Sequence, residues 1–229
     1  MNKRVMDLKK VEVWDGNMAN SQALRQADVD VIAAYPITPS TATVENYCMF
    51  HANGYIDGEV IMTESEHAAM SACIGAGAAG GRVATATSSQ GLALMIETLY
   101  QASGMRIPVV LCLVNRALAA PLNVNGDHSD LYLTRDSGWI SIDAFSPQEA
   151  YDMTLMSFKI SEHPAVRLPV ISNQDGFMTS HTAQNVTPLE DDVACKFVGD
   201  YLQVNALLNF DKPVTHGVQT EQDWHFEHK

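Results

Sequence analysis

The run IPVVLCLVN, residues 107–115, constrains the fold more than any other stretch. It is apolar at both alternations, so a strand built from it must be covered on both faces. Shorter runs also read as strands: VDVIAAY (29–35), GEVIMTE (58–64), RVATATSS (82–89), with β-branched alternation, and LPVISN (168–173). The segments between them read as helices. They cover Gly16–Ala27, Ser40–Asn53, Glu66–Ala79, Leu92–Ser103 and Ser146–Ser161. Strands separated by helices of this length imply βαβ units and a parallel sheet. The expected class is α/β, a parallel sheet flanked by helices.

Local signals set several boundaries. Asn17 or Asn20 is a candidate cap for the first helix. Asn53-Gly54 is a stop signal. Ser146-Pro147-Gln148-Glu149 places a serine cap, a first-turn proline and a capping glutamate in order. VEVW (11–14) is a short opening segment. The strand character fades after about Asn185, so residues 1–185 read as one domain and 186–229 as an extended tail. That tail is expected to wrap a neighbour or lead to another domain.

Bulk properties exclude several function classes. The 229 residues carry a formal charge of −13, which argues against nucleic acid or an anionic membrane as partner. No apolar run approaches the roughly 18 residues of a spanning helix. The N-terminus has basic residues but no apolar core behind them, so a cytoplasmic protein is expected. Cys48, Cys73, Cys112 and Cys195 are widely spaced with no CxxC. A zinc or iron–sulfur site held by this chain alone is therefore not expected, and reduced thiols are.

Candidate chemistry concentrates where strands end. In YPITPST (35–41), Pro36 and Pro39 fix the backbone around the Thr38, Ser40 and Thr41 hydroxyls. Such a loop at a strand's carboxyl end is where open α/β sheets place ligand groups. Glu64 and Glu66 stand at a helix start, where the macrodipole alone could explain them. The helix behind them is nearly bare of side chains. Each glycine there costs about 1 kcal/mol against alanine, so close approach of another backbone or of a ligand is expected. Ser88, Ser89, Gln90 and Gly91 form a strand-to-helix loop whose free amides suit an anion or a polar ring. Arg116 directly follows the buried strand. Its fork fits a carboxylate, either of a ligand or of this chain in a structural ion pair, and residue type leaves both open. Asp127, His128 and Asp130 tempt a metal assignment, but Gly126-Asp127 is a turn dipeptide, and a turn with solvated side chains is expected.

Taken in order, "YPITPST", "ESEHAAMSACIGAGAAGGRVATATSSQGLALM" and "NRALAAPLNVNGDHSDLYLTRDSGW" resemble α subunits of the 2-oxoacid:ferredoxin oxidoreductase family, pyruvate:ferredoxin oxidoreductase above all. The tail "FDKPVTHGVQTEQDWHFEHK" is similar as well. The resemblance implies a thiamine diphosphate-binding fold of the pyrimidine-gripping type. It implies a shared cofactor, with the diphosphate and Mg2+ on a β subunit. Iron–sulfur clusters would lie on that subunit and on a ferredoxin-like chain, with a further small subunit or domain. Electrons would go to ferredoxin, and coenzyme A would take the acyl group. Position by position, Glu66 matches the glutamate that bonds N1′ of the aminopyrimidine. Thr38 matches the hydroxyl that touches substrate, and Arg116 the guanidinium that binds its carboxylate. Pro36, Ser89 and Gln90 are expected beside the cofactor.

The threonine at 38 disfavours oxalate, and the Arg-bearing loop disfavours oxoglutarate. Branched-chain and aryl 2-oxoacids stay open. So does a non-catalytic assembly module, although a scaffold needs none of Glu66, Thr38 and Arg116. A thiamine-dependent transferase or decarboxylase without ferredoxin is disfavoured by the Arg-bearing loop. Family α subunits continue past the position of Lys229, so the chain is expected to be a split or shortened subunit.

Overall fold

The computed structural model describes residues 3–201 and 204–228. Six parallel strands form the central sheet: β2 (Val31–Ala34), β3 (Glu59–Met62), β4 (Val83–Thr87), β5 (Val109–Val114), β6 (Ile140–Ala144) and β7 (Val170–Gln174), in the order β3-β2-β4-β5-β7-β6. β1 (Glu12–Trp14) pairs antiparallel with β8 (Gln184–Val186) outside this sheet. The mostly parallel α/β class expected from the apolar runs is the one observed.

Alternation explains the two cores. Ile32, Ala34, Ala84, Ala86, Val110 and Cys112 face one side. There they meet α1 (Gly16–Gln26), α2 (Thr41–Ala52) and α6 (Pro147–Ser161), through Leu24, Tyr47 and Phe158 among others. Ala33, Val83, Val109, Leu111 and Leu113 face the other side. They meet α3 (Glu66–Ala79) and α4 (Ser89–Gly104) through Met70, Cys73, Leu92 and Leu99. β5 is fully buried along its length, as its unbroken apolar run demands. Burial pushes the Cys73 and Cys112 thiols up to about 12. These are inert core residues.

Some boundaries differ from the sequence reading. Asp15, not Asn17 or Asn20, caps α1, its carboxylate accepting from Met18 N at 2.8 Å. Both asparagines are buried side chains with other partners. The Ser146 cap forms as expected, and its hydroxyl accepts from Glu149 N at 3.2 Å. The edge strand β6 and the four-residue α5 (Ser129–Tyr132) carried no clear sequence signal. The segment after Asn185, expected to be extended, contains α7 (Asp191–Val198) and α8 (Gln222–His228). α7 is tied to the body: Arg25 donates both Nη1 and Nη2 to Asp191, and Ala194 and Val198 join the core.

A second buried fork lies at the sheet's amino edge. Arg82 Nε and Nη2 donate to the two Glu162 oxygens at 2.7 Å each, Nη1 donates to the Ala27 carbonyl, and Nη2 also donates to the Gly199 carbonyl. Its partners come from the end of α1, the end of α6 and the residue after α7. Removing one member of a buried pair strands the other, so Arg82→Ala should lower stability by about 3–5 kcal/mol. A chemical denaturation midpoint close to that of the unaltered chain would show the node to be dispensable.

Candidate functional site

Every parallel strand ends on the same rim, and that rim gathers the candidate residues. Pro36 and Thr38 follow β2 and are exposed. The loop that carries them is anchored from below. Asn17 Nδ2 donates to the Pro39 carbonyl at 3.0 Å, Thr43 Oγ1 donates to Asn17 Oδ1 at 2.8 Å, and Ser40 Oγ donates to the Ile37 carbonyl at 2.9 Å. Asn17 thus serves the loop rather than the helix end. It was not singled out for this role, because nothing in its surroundings distinguishes it from a cap.

Glu66 opens α3, and Ser65 caps the helix by accepting from Ala68 N at 3.2 Å. The Glu66 residue is only 7% exposed. Its carboxylate accepts no hydrogen bond from another side chain or amide among the described residues. It lies over the start of α4, against Gly91. A Cβ at Gly91 would stand 2.3 Å from Thr87 Oγ1 and 2.7 Å from Glu66 Oε1. Only a bare backbone lets the carboxylate sit there. Beside it, the buried Thr87 and Ser88 hydroxyls have no partner among the described residues. Such unsatisfied polar groups call for a ligand or ordered water. The signal for this seat in the sequence is the glycine directly after Ser-Ser-Gln, at the third residue of α4.

Arg116 stands two residues beyond the end of β5, after Asn115. Its residue is 8% exposed, and Nη1 donates to the Thr38 carbonyl at 2.9 Å. Nε is fully buried without a partner, and Nη2 makes no bond within the described residues. No Asp or Glu of the described chain lies within 4.0 Å of this guanidinium. Among the described residues, the structural ion pair left open by the residue type is therefore not formed. A buried cation with its bidentate edge unpaired is costly, and an incoming carboxylate would offset that cost.

Ser89 and Gln90 stand on the same rim. Ser89 is buried at a φ of +48°, and its Oγ lies 2.6 Å from the Ala117 carbonyl, to which it donates. Gln90 is exposed, and its Oε1 accepts from Ala119 N at 3.0 Å. Both side chains thus lash the Arg-bearing loop to α4, and Gln90 Nε2 is left without a partner among the described residues. Asp130 differs from its expected place: it is fully buried rather than solvated, whereas Asp127 and His128 are exposed. Among the described residues no cluster of three or more His, Cys, Asp or Glu side chains could hold a metal ion.

The bare face of α3 divides in two. A Cβ on Gly77 would meet Ile107 Cγ2 at 2.5 Å, so that glycine serves packing within the chain. Gly75 is exposed with nothing within 4 Å of an added Cβ. Beside α3, edge strand β3 exposes Ile61 at 41% and Met62 at 53%.

Fold and rim together define a parallel α/β domain with a buried, donor-free carboxyl and an unpaired guanidinium at its carboxyl edge. Comparison with known proteins gives this class its family. A family model described as pyruvate flavodoxin/ferredoxin oxidoreductase, thiamine diphosphate-binding, matches residues 22–229. The pyruvate synthase subunit PorA of Thermotoga maritima is 49% identical over 214 residues, 93% of this chain and 55% of that one. PorA of Methanocaldococcus jannaschii is 49% identical over 218 residues, covering 95% and 56%. The ketoisovalerate oxidoreductase subunit VorA of Pyrococcus furiosus is 42% identical over 223 residues, covering 97% and 56%. Among solved structures, a 2-oxoglutarate:ferredoxin oxidoreductase from Magnetococcus marinus superposes with a TM-score of 0.73 at 26% identity, over 83% of this chain and 34% of that one. The chain belongs to the thiamine diphosphate-binding pyruvate flavodoxin/ferredoxin oxidoreductase family. It spans about half the length of the curated relatives it matches.

Proposed function

We propose that this chain is the pyrimidine-gripping part of a 2-oxoacid:ferredoxin oxidoreductase that acts on pyruvate. The observation that carries this reading is the buried Arg116 guanidinium, which has no acidic partner among the described residues and sits against the threonine loop. The pyruvate synthase relatives, at 49% identity against 42% for the ketoisovalerate one, support pyruvate over a branched-chain oxoacid.

The residues present fit thiamine diphosphate. Glu66 offers a carboxyl with free acceptors, and Gly91 keeps its seat open. Bound there, the cofactor supplies the electron sink for decarboxylation. Glu66 would hold and exchange a proton at ring N1′, within a site dry enough to favour that transfer. Gln90 Nε2 and Pro36, on the same rim, would bound the ring's pocket, while Ser89 fixes the loop above it. Arg116 would orient the substrate carboxylate through its Nη2, and the Thr38 hydroxyl would fix the adjoining oxygen. The carboxylate must be lost in the reaction. One guanidinium and one hydroxyl place it without stabilising the ground state in excess.

The diphosphate, Mg2+ and iron–sulfur clusters fall to partner chains in this reading: a β subunit, a ferredoxin-like subunit and a further small subunit or domain. The open Gly75 face and the apolar β3 edge support a protein partner beside the site. Coenzyme A takes the acyl group and ferredoxin the electrons. No helix among the described residues is long and apolar enough to cross a membrane. A cytoplasmic location goes with this function.

Reconstitution with the partner chains tests the proposal. Pyruvate and coenzyme A should then reduce viologen or ferredoxin. Reduction with 2-oxoisovalerate in preference to pyruvate would move the assignment to the branched-chain enzymes, and none with any oxoacid would favour an assembly module. In the same complex, Gly91→Ala should weaken thiamine diphosphate binding roughly 10- to 100-fold, since overpacking of this kind costs about 1–3 kcal/mol. Cofactor titration reads this directly. An unchanged affinity would mean that Glu66 does not need its seat.

A further inference from the structure

We infer that Asp130 is a positioning residue, whose carboxylate sets the direction of the Arg116 guanidinium by tying the end of β5 to the start of α4. The inference rests on the carboxylate-binding role proposed for Arg116. Asp130 is fully buried, yet it forms no ion pair among the described residues. Instead it accepts four hydrogen bonds. Oδ2 takes Ser89 N and Arg116 N at 2.9 Å each, and Oδ1 takes Asn115 Nδ2 and Leu131 N at 2.8 Å each.

The sources of those donors matter more than their number. Ser89 is the first residue of α4, two before Gly91, where the Glu66 carboxylate sits. Asn115 and Arg116 are the first two residues past β5. One side chain therefore joins the backbone that seats Glu66 to the backbone that carries Arg116. Burial raises the Asp130 pKa, and the donated bonds oppose that rise. A buried carboxyl is an expensive way to close a loop, which an apolar contact would do as well. What it adds is direction, because both oxygens must be acceptors for all four donors to be satisfied.

Asp130→Asn is the informative change, because it keeps shape and removes that property. Whichever way the amide turns, its NH2 faces two donors. In the reconstituted complex the KM for the 2-oxoacid should rise roughly ten- to hundredfold, by a larger factor than any fall in kcat, as expected when an aligned group is displaced by about 1 Å. Combined with Arg116→Ala, the same change should add nothing further to KM, because Asp130 acts through the guanidinium. Asn115→Ala, which removes one donor, should give a smaller rise that vanishes in the same background. It carries the test if Asp130→Asn does not fold. An unchanged KM in the variants of Asp130 and Asn115, with a raised KM in Arg116→Ala, would overturn the inference and leave the role of Arg116 intact. So would effects that multiply fully with Arg116→Ala. A normal KM in Arg116→Ala alone would overturn the underlying role of Arg116, and the inference with it.

Discussion

Glu66→Gln should reduce turnover of the assembled complex by about 10²- to 10⁴-fold, the usual contribution of a positioned acid–base group. The substitution is nearly isosteric, so the amide still fits over Gly91, where an added Cβ would approach Glu66 Oε1 to 2.7 Å. Cofactor binding should therefore change far less than kcat. What is lost is the ability to take and return a proton at the ring. The position leaves little room for a substitute, since the residue is only 7% exposed and bulk water is a poor replacement there. Stopped-flow reduction of a viologen, with cofactor affinity measured in parallel, separates the two quantities. Unchanged turnover would remove Glu66 from the chemistry.

Arg116→Ala should raise the 2-oxoacid KM by about a hundredfold or more, because hydrogen bonds to a charged group are worth about 1.5–3 kcal/mol each. The same change should leave the chain no less stable, or more so. The native guanidinium is buried with Nε unpartnered, and its one bond within the described residues is to the Thr38 carbonyl. A group that costs stability and is kept for binding shows this opposition when removed. Arg116→Lys should recover little, since a point charge lacks the planar edge. Denaturant unfolding of the isolated chain, set against substrate titration of the complex, checks both halves. A destabilised chain with normal kinetics would make Arg116 a structural residue.

The sequence made the layered α/β plan legible because β5 and β2 are apolar throughout and the intervening helices have clear caps and stops. Arg116 drew notice because a guanidinium directly after a buried strand must be accounted for, whereas Glu66 stands at a helix start that the macrodipole alone could explain and was marked only by the family resemblance. Strand order was not, since nothing in LPVISN says that β7 lies between β5 and β6. β6 itself was hidden because an edge strand buried on one side, ISIDA, has too little pattern over five residues. Asp130 was masked by its setting. It lies in a polar stretch with a turn dipeptide, and only the fold brings four donors to it. Asn17 was misjudged because capping is its commoner use. Gly91 could have been weighed more heavily, since a glycine inside a helix's first turn always asks what it makes room for.

The Arg82 fork holds Gly199 at the edge where β4 begins, and Leu207 N donates to the Ala78 carbonyl at the end of α3. Gly199 and Leu207 are thus tied to ends of elements that point away from Glu66 and Arg116. Attachments made along this stretch, whether a fluorophore, a surface tether or a fused reporter, would sit behind the sheet. They should leave reactant entry at the opposite rim unobstructed.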